Sequence, residues 1–455
     1  MKKRLAITII LVLLASAGLV AAHLLTSSNG QDVKISETTL AGSFDAAKGV
    51  QVTTEVELYG DDPMAWETTA VFNQEIKTET EVYPKGFPDK EYHNIHIGAL
   101  NSSGMYLPNH DIETHQHDIC YIPSSVIKKI SNQGGPGETI EDTVNMADYV
   151  DEVPIDFSID SYVRNQDHSS LELSINDENQ QYLSDYLTVS VPSNYPVELK
   201  IKKDAADKVE SIQYYTTKQV SKSASAYVDE NAAYVAINGY KEDETGTFHP
   251  LLENEYCGIL QIPINNAREI QAKQMECIYP IKQDIFIKDL TLSADGRNFL
   301  LLIVEDDTNY LQVIDKESLQ LKQKVKLSHH EKSDDLSKVV VKDNFYMAMT
   351  WYGKYVVASC ENGIYQYFNQ GQFDLSKLSK DHDMISALDA DAAFDGQRFV
   401  IATLAIGLQS NTSPSYYMQV MDQDQLLYYG RFDSSLFHDL KSKDTDANID
   451  VNFVH

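Results

Sequence analysis

The C-terminal half of the chain repeats one short pattern, in which a polar turn containing an aspartate is followed by an apolar run of five or six residues. One example is Asp295-Gly296-Arg297, which precedes the apolar run 299–304. The turn aspartates of the four copies are Asp229, Asp295, Asp343 and Asp395, at spacings of 66, 48 and 52 residues. Each run is short, rich in branched and aromatic residues and bounded by turn residues, which predicts β-strands joined by tight turns.

A period near 50 residues that is built only of short strands is typical of a β-propeller. The clearest predicted blade is 288–327, with strands at 288–292, 299–304, 310–315 and 323–327. Residues 51–455, at about 50 to 60 residues per blade, predict an all-β fold: a propeller of about seven four-stranded blades. The tail 449–453 alternates like a strand, and we expect it to pair within the first blade.

The Asp295-Gly296-Arg297 turn, the strand 311–315 and Ser318-Leu319 together resemble the repeats of bacterial WD40-like or quinoprotein-like β-propellers. The resemblance covers residues 229–433. The chain has only Trp66 and Trp351, and it lacks both the Trp-Asp dipeptide and the tryptophan docking motifs of quinoprotein dehydrogenases. That argues against a bound quinone. The resemblance implies a fold, and this fold hosts many unrelated functions.

The N-terminus carries a membrane signal. Lys2-Lys3-Arg4 is followed by an apolar run over residues 5–25, which as a helix is about 30 Å long and long enough to span a bilayer. Two interpretations compete: a cleaved signal peptide, for example after Ala15-Ser16-Ala17, or an uncleaved single-pass anchor, which the length favours. Both leave the bulk of the chain outside the cytoplasm. The predicted domains are therefore an anchor or signal (1–25), a flexible tether (26–50) and the propeller (51–455).

The charge balance excludes some partners. The chain has 68 acidic residues against 37 Lys and Arg, a formal net charge of −31. Nucleic acid and anionic lipid head groups need a positive surface, so neither is an expected ligand. A cationic ligand, Ca²⁺ or a basic partner is compatible with this charge, and so is simple solubility. Residues 138–185, with 13 acids balanced only by Arg164, are interpreted as a charged rim or as a second cation-binding zone.

Two groups of residues are candidate metal ligands. His115 and His117 would share one face of a strand and suit a transition metal, although a polar, solvated loop is the simpler interpretation. Asp444, Asp446, Asn448 and Asp450 alternate like the first half of an oxygen-ligand loop for Ca²⁺. The pattern lacks the glycine and the final glutamate of an EF-hand, since Ile449 and His455 stand there, so a polar C-terminal loop is the competing interpretation.

Cys257 and Cys277 flank a predicted hairpin with its turn at 265–268. If that turn is symmetric, the two cysteines face each other, which makes them the best disulfide candidate in an exported chain. The alternative is two buried thiols that act as small apolar residues. There is no Cys-x-x-Cys, so a zinc ribbon or a thioredoxin-like site has no support.

The sequence favours a non-enzymatic function. It has neither a Gly-x-Ser-x-Gly elbow nor a phosphate-binding glycine loop. We expect a membrane-anchored extracytoplasmic propeller that binds a protein, peptide or glycan. One alternative is an exported polysaccharide hydrolase or lyase with its site at the central channel. The other is a calcium-dependent adhesion or sensor module.

Overall fold

The structure is a computed structural model of the whole chain. It describes residues 33–58, 64–83, 90–98, 103–106, 122–154, 156–164, 176–191, 193–215, 220–229, 231–242, 248–250, 257–282, 285–329, 336–373, 383–407, 416–435 and 445–454. The predicted anchor, residues 1–25, lies outside this part of the chain. Over the described residues, no helix combines the length and the apolar character needed to cross a membrane.

Thirty strands dominate the described residues. Strands β1–β15 span Ile35–Gly42, Val50–Leu58, Met64–Phe72, Ile76–Tyr83, Lys90–Gly98, Ser103–Tyr106, Thr139–Asn145, Glu152–Pro154, Asp156–Arg164, Thr188–Ser190, Pro196–Lys203, Val209–Tyr215, Val220–Val228, Ala232–Glu242 and Phe248–Pro250. Strands β16–β30 span Gly258–Pro263, Glu276–Pro280, Phe286–Leu292, Asn298–Glu305, Thr308–Asp315, Leu321–His329, Leu336–Lys342, Phe345–Thr350, Lys354–Glu361, Ile364–Gln372, Asp383–Phe394, Phe399–Gly407, Tyr416–Met421, Leu426–Ser434 and Thr445–Phe453. The all-β prediction is confirmed.

The described residues also contain two α-helices: α1, Ser124–Ser131, and α2, Asp177–Tyr186. The N-cap of α1 is Pro123, and no side chain caps the helix. Helix α2 was not predicted. It begins at Asn176, whose side-chain oxygen accepts a hydrogen bond from the Asn179 N–H, as an N-cap does.

The chain divides into two compact units, residues 90–332 and residues 1–89 with 333–455. In the first unit, two sheets have the strand orders β18-β19-β20-β21 and β13-β14-β16-β17, with β15 beside β14. A third sheet, β6-β12-β11-β7, joins distant strands, and α1 packs its apolar side into the same core. Two small sheets, β10-β8 and β5-β9, complete the set. The non-consecutive strands explain why the repeat fades before residue 229.

In the second unit, three sheets have the strand orders β30-β2-β3-β4, β22-β23-β24-β25 and β1-β29-β28-β27-β26. All their pairings are antiparallel. The first sheet buries Val52 and Val56 against the β26–β29 sheet, which contributes Val400 and Met418 to the same core. The β22–β25 sheet packs on another core that also includes residues of the β26–β29 sheet.

The repeated turns of the sequence lie where the period predicts. Asp229, Asp295, Asp343 and Asp395 each follow a strand that lies at one edge of its sheet. The Asp395 carboxylate accepts hydrogen bonds from the N–H groups of Gln397 and Arg398, at 2.9 and 2.6 Å, and the Asp229 carboxylate accepts two in the same way. An aspartate in this position closes the turn with its own side chain.

The predicted blade 288–327 is confirmed, because β18–β21 form a four-stranded antiparallel meander. Its outer strand β21 carries Lys322, Lys324 and Lys326, and such charges discourage pairing with another sheet edge. Meanders of this kind are the blade unit of β-propellers, which confirms the resemblance at the level of the fold.

The first and the last described strands both pair within sheets. The tail strand β30 pairs with β2, with Val451 opposite Val52, as predicted. The tether predicted over 26–50 was wrong for the part that the structure describes, because β1 pairs with β29 and Phe44–Ala47 forms a 3-10 turn. The physical reason is that the polar residues of β1 lie on an outer strand, which needs little apolar surface.

Candidate functional site

The most unusual surface of the described residues is one side of the β30-β2-β3-β4 sheet. Side chains alternate along a strand, and directly opposed residues of neighbouring strands share a face. The buried face carries valines and other apolar residues, including Trp66 and Phe72. We call the other side the acidic face, and its described carboxylates are Glu55, Glu57, Glu67, Glu79, Glu81 and Asp450.

The register aligns three of these carboxylates in one row. Glu55 of β2 is directly opposite Glu67 of β3, and Glu67 is directly opposite Glu81 of β4. Asn448 of β30 continues the row on the other side of Glu55. Glu55 and Glu67 are half-buried and Glu81 is exposed. Like charges in directly opposed positions destabilise a sheet, so this row carries an energetic penalty.

The negative charge of the row affects the pKa of a neighbouring side chain, Tyr83. The Tyr83 hydroxyl donates to a carboxylate oxygen of Glu81 at 3.0 Å. This hydrogen bond, partial burial and the charges of Glu67, Glu81 and Glu55 together raise the pKa of Tyr83 to about 12. Each contribution disfavours a further negative charge, so the tyrosine stays protonated at neutral pH.

Positive charge is sparse on the acidic face. Lys77 of β4 lies on it, opposite Val71 and two residues before Glu79. Lys342 approaches from β22, with its Nζ 3.7 Å from the Asp450 carboxylate. The ladder hydroxyls of Thr53 and Thr69, 3.1 Å apart, are neutral. The described part of the face therefore has a large excess of negative charge.

The predicted metal ligands do not converge in the described chain. His115, His117 and Asp444 lie outside the described residues. Asp446, Asn448 and Asp450 lie on β30, so the oxygen-rich loop expected there is a strand from Thr445 onward. Alternate residues of a strand are about 6.8 Å apart, whereas calcium ligands surround one ion at about 2.4 Å. Among the described residues, no three His, Cys, Asp or Glu side chains are grouped to hold a metal.

The predicted disulfide between Cys257 and Cys277 does not form. The turn at 265–268 is confirmed, since the Arg268 N–H donates to the Asn265 carbonyl. The returning strand then contains the 3-10 turn Ala272–Gln274, which shifts the register and puts Cys277 opposite Leu260. Three residues of strand span about 10 Å, beyond the reach of a disulfide.

Sequence reasoning missed the glutamate row. Its signal is the alternation of glutamate with threonine or valine in β2 and β4, together with the single glutamate of the intervening strand β3. The pattern of each strand, taken alone, predicts an ordinary strand with one exposed face. Only the register between the strands brings the three carboxylates together, and a register is not readable from one sequence.

Comparisons with known proteins give no family. No family model matches the chain, and no curated protein matches it. Among solved structures, the chain is similar to the periplasmic gluconolactonase PpgL of Pseudomonas aeruginosa, with 9% identity, a TM-score of 0.27 and coverage of 83% of this chain and 82% of that one. It is also similar to the β-propeller domain of Cps50 (Swd1) from Myceliophteria thermophila, with 9% identity, a TM-score of 0.24 and coverage of 52% and 82%. These scores are too low to support an argument about function, and the blade assignment rests on strand order and pairing.

Proposed function

We propose that the protein is a non-enzymatic binding module that captures a basic protein segment or peptide on its acidic face. The observation that carries the proposal is the row Glu55–Glu67–Glu81, which register holds in directly opposed positions. A sheet that served only as a packing element would be more stable with neutral side chains there. Directly opposed carboxylates depart from the pairing that favours a sheet, and such departures are expected at functional sites.

The chemistry of the face selects the partner. Neighbouring strands are about 4.8 Å apart, so the row offers carboxylates at a spacing that the long side chains of lysine and arginine can bridge. Burial of the cationic charge between two glutamates relieves their mutual repulsion. Nucleic acid and anionic lipid are repelled by the same field. A neutral glycan gains nothing from it, so we favour a basic protein or peptide over a glycan.

We further propose that the chain forms about seven blades and that residues 1–25 anchor it in a membrane with the remainder outside the cytoplasm. The support is the positive flank Lys2-Lys3-Arg4 and the length of the apolar run. Protease added to intact cells is expected to digest the region 51–455. Full protection of that region, together with digestion after lysis, would show that the orientation is wrong.

The binding proposal is tested with a fluorescent lysine-rich peptide of about ten residues and the full chain. The double variant Glu67→Gln/Glu81→Gln neutralises two carboxylates of the row. Each exposed ion pair contributes about 0.2–1 kcal/mol, so the Kd is expected to rise about 2- to 30-fold, with a weaker salt dependence.

The matched control is Glu317→Gln/Glu361→Gln, which changes the net charge equally at two exposed positions outside the acidic face. Its Kd is expected to stay close to that of the unmodified protein. Equal losses in both double variants would show that only net charge attracts the peptide, and the proposal of a site on this face would then be wrong.

A further inference from the structure

Strand β30 has an open edge. It pairs with β2 on one side and ends its sheet on the other. In an antiparallel strand, the N–H and the C=O of one residue point to the same side, and successive residues alternate between the two sides. Val451 directs both groups to the open edge, where the described chain supplies no strand to pair with them. Its side chain is fully buried, so unpaired polar groups at this residue would be costly.

Two charged side chains from other sheets satisfy these groups. The Asp391 carboxylate of β26 accepts a hydrogen bond from the Val451 N–H at 2.7 Å. The Lys342 ammonium of β22 donates to the Val451 carbonyl oxygen at 2.8 Å. Lys342 also donates to the same Asp391 oxygen at 2.7 Å, so the three groups form a closed ring of hydrogen bonds. The Asp391 and Lys342 side chains are 13% and 29% exposed, which limits the competition from water.

The arrangement joins three sheets at one residue. Lys342 is the last residue of β22, Asp391 belongs to β26, and Val451 belongs to β30. A second hydrogen bond, from the Asn344 side-chain amide to the Phe394 carbonyl oxygen at 2.6 Å, fixes the β22–β23 turn against the end of β26. The ion pair is therefore held in place by its own strands, and β30 is the element that binds to it.

We infer that Lys342 and Asp391 form a clamp that replaces the missing neighbour strand of β30 and controls whether this strand stays in its sheet. Opening of the clamp exposes the backbone of Val451 and leaves β2 as the one described strand that is hydrogen-bonded to β30. The clamp is thus a conformational device that sets the local opening rate of one strand. It differs from a general stabiliser, because its loss acts on β30 and not on the sheets that supply Lys342 and Asp391.

The test is amide hydrogen exchange of the full chain, read by mass spectrometry on peptides from β30, β3 and β23–β24. Lys342→Met removes both lysine hydrogen bonds and keeps the length of the side chain. We expect β30 amides to exchange about tenfold faster, which corresponds to about 1.4 kcal/mol of opening free energy. Peptides from β3 and β23–β24 should change far less. The control is Lys338→Met on the same strand β22, which should leave all three unchanged.

Two variants of Asp391 keep the proposal testable if Lys342→Met fails to fold. Asp391→Asn keeps an oxygen that accepts from the Val451 N–H, whereas Asp391→Ala removes it. Exchange of β30 should therefore rise more in Asp391→Ala than in Asp391→Asn. The clamp is refuted if β30 exchanges at the unmodified rate in Lys342→Met and Asp391→Ala. It is refuted equally if β3 and β23–β24 accelerate as much as β30, since that pattern marks global destabilisation.

Discussion

Neutralising the centre of the glutamate row should stabilise the protein. Glu67 is directly opposed by Glu55 on one side and by Glu81 on the other. A directly opposed like-charge pair costs about 0.2–1 kcal/mol, so Glu67→Gln relieves two such pairs and should raise the free energy of unfolding by about 0.5–1.5 kcal/mol at low salt. Glutamine keeps the shape of the side chain and one acceptor oxygen, so the main change is the loss of the charge.

The sequence provides a local reporter for this measurement. The chain has two tryptophans; Trp66 is buried on the same strand as Glu67, and Trp351 is 51% exposed in a turn. In a Trp351→Phe background, fluorescence in a urea titration follows the β2–β4 sheet. The matched control is Glu79→Gln, because Glu79 is opposed by Thr69 and not by a carboxylate. Its effect should be smaller than that of Glu67→Gln.

The salt dependence shows whether relief of charge repulsion causes the stabilisation by Glu67→Gln. At 1 M salt the Debye length is about 3 Å, shorter than the roughly 5 Å between opposed Cβ atoms, so the stabilisation should largely vanish. A variant that is destabilised, or one that gains equally at low and high salt, would refute the electrostatic reasoning. The same substitution should weaken binding of the lysine-rich peptide. Higher stability with lower affinity is the signature of a site that is strained for function.

Two further predictions concern the docking of strand β1 and the state of the cysteines. Gly42 has φ +74°, and a Cβ there would overlap the carbonyl oxygen of Leu427, so Gly42→Ala should destabilise the protein by about 2 kcal/mol or more in urea unfolding. The control Gly137→Ala, at φ +76° with open space around it, should cost only about 1 kcal/mol. Equal effects of the two substitutions would contradict the docking of β1. After unfolding without reductant, Cys257 and Cys277 should both react with an alkylating reagent in peptide mass spectrometry, and a peptide pair linked through the two would contradict the observed register.

The sequence was most informative where local chemistry decides the structure. The aspartate turns and the blade 288–327 are predictable because each is fixed within a few residues by turn residues and alternation. Helix α2 was missed because its residues, Asp177–Tyr186, are mostly polar and its start depends on the Asn176 cap. The acidic face and the clamp depend on register and on contacts between sheets, which bring together residues that are tens to hundreds of positions apart.

Two partly buried carboxylates, Asp229 and Asp391, should give opposite pH dependences. Burial by itself would raise the pKa of Asp229, but the Lys316 hydrogen bond at 2.8 Å and two backbone N–H groups outweigh it and hold that pKa below its ordinary value. Burial dominates at Asp391 and raises its pKa, although the charge and hydrogen bond of Lys342 oppose this. A group with a lowered folded-state pKa binds fewer protons in the folded protein, and one with a raised pKa binds more.

The sign of each contribution follows from that difference in bound protons. The Asp229 carboxylate stabilises the fold above its unfolded pKa of about 3.9, and this contribution is lost as the pH falls through the lower folded value. For Asp391, stability is lost as the pH rises from about 3.9 through its higher folded pKa. Between about pH 3 and pH 7, the stability of Asp229→Asn relative to the unmodified protein should therefore fall with rising pH, and that of Asp391→Asn should rise. Urea unfolding at a series of pH values measures both differences. Slopes of the same sign would show that hydrogen bonding fails to outweigh burial at Asp229, or that it does outweigh burial at Asp391.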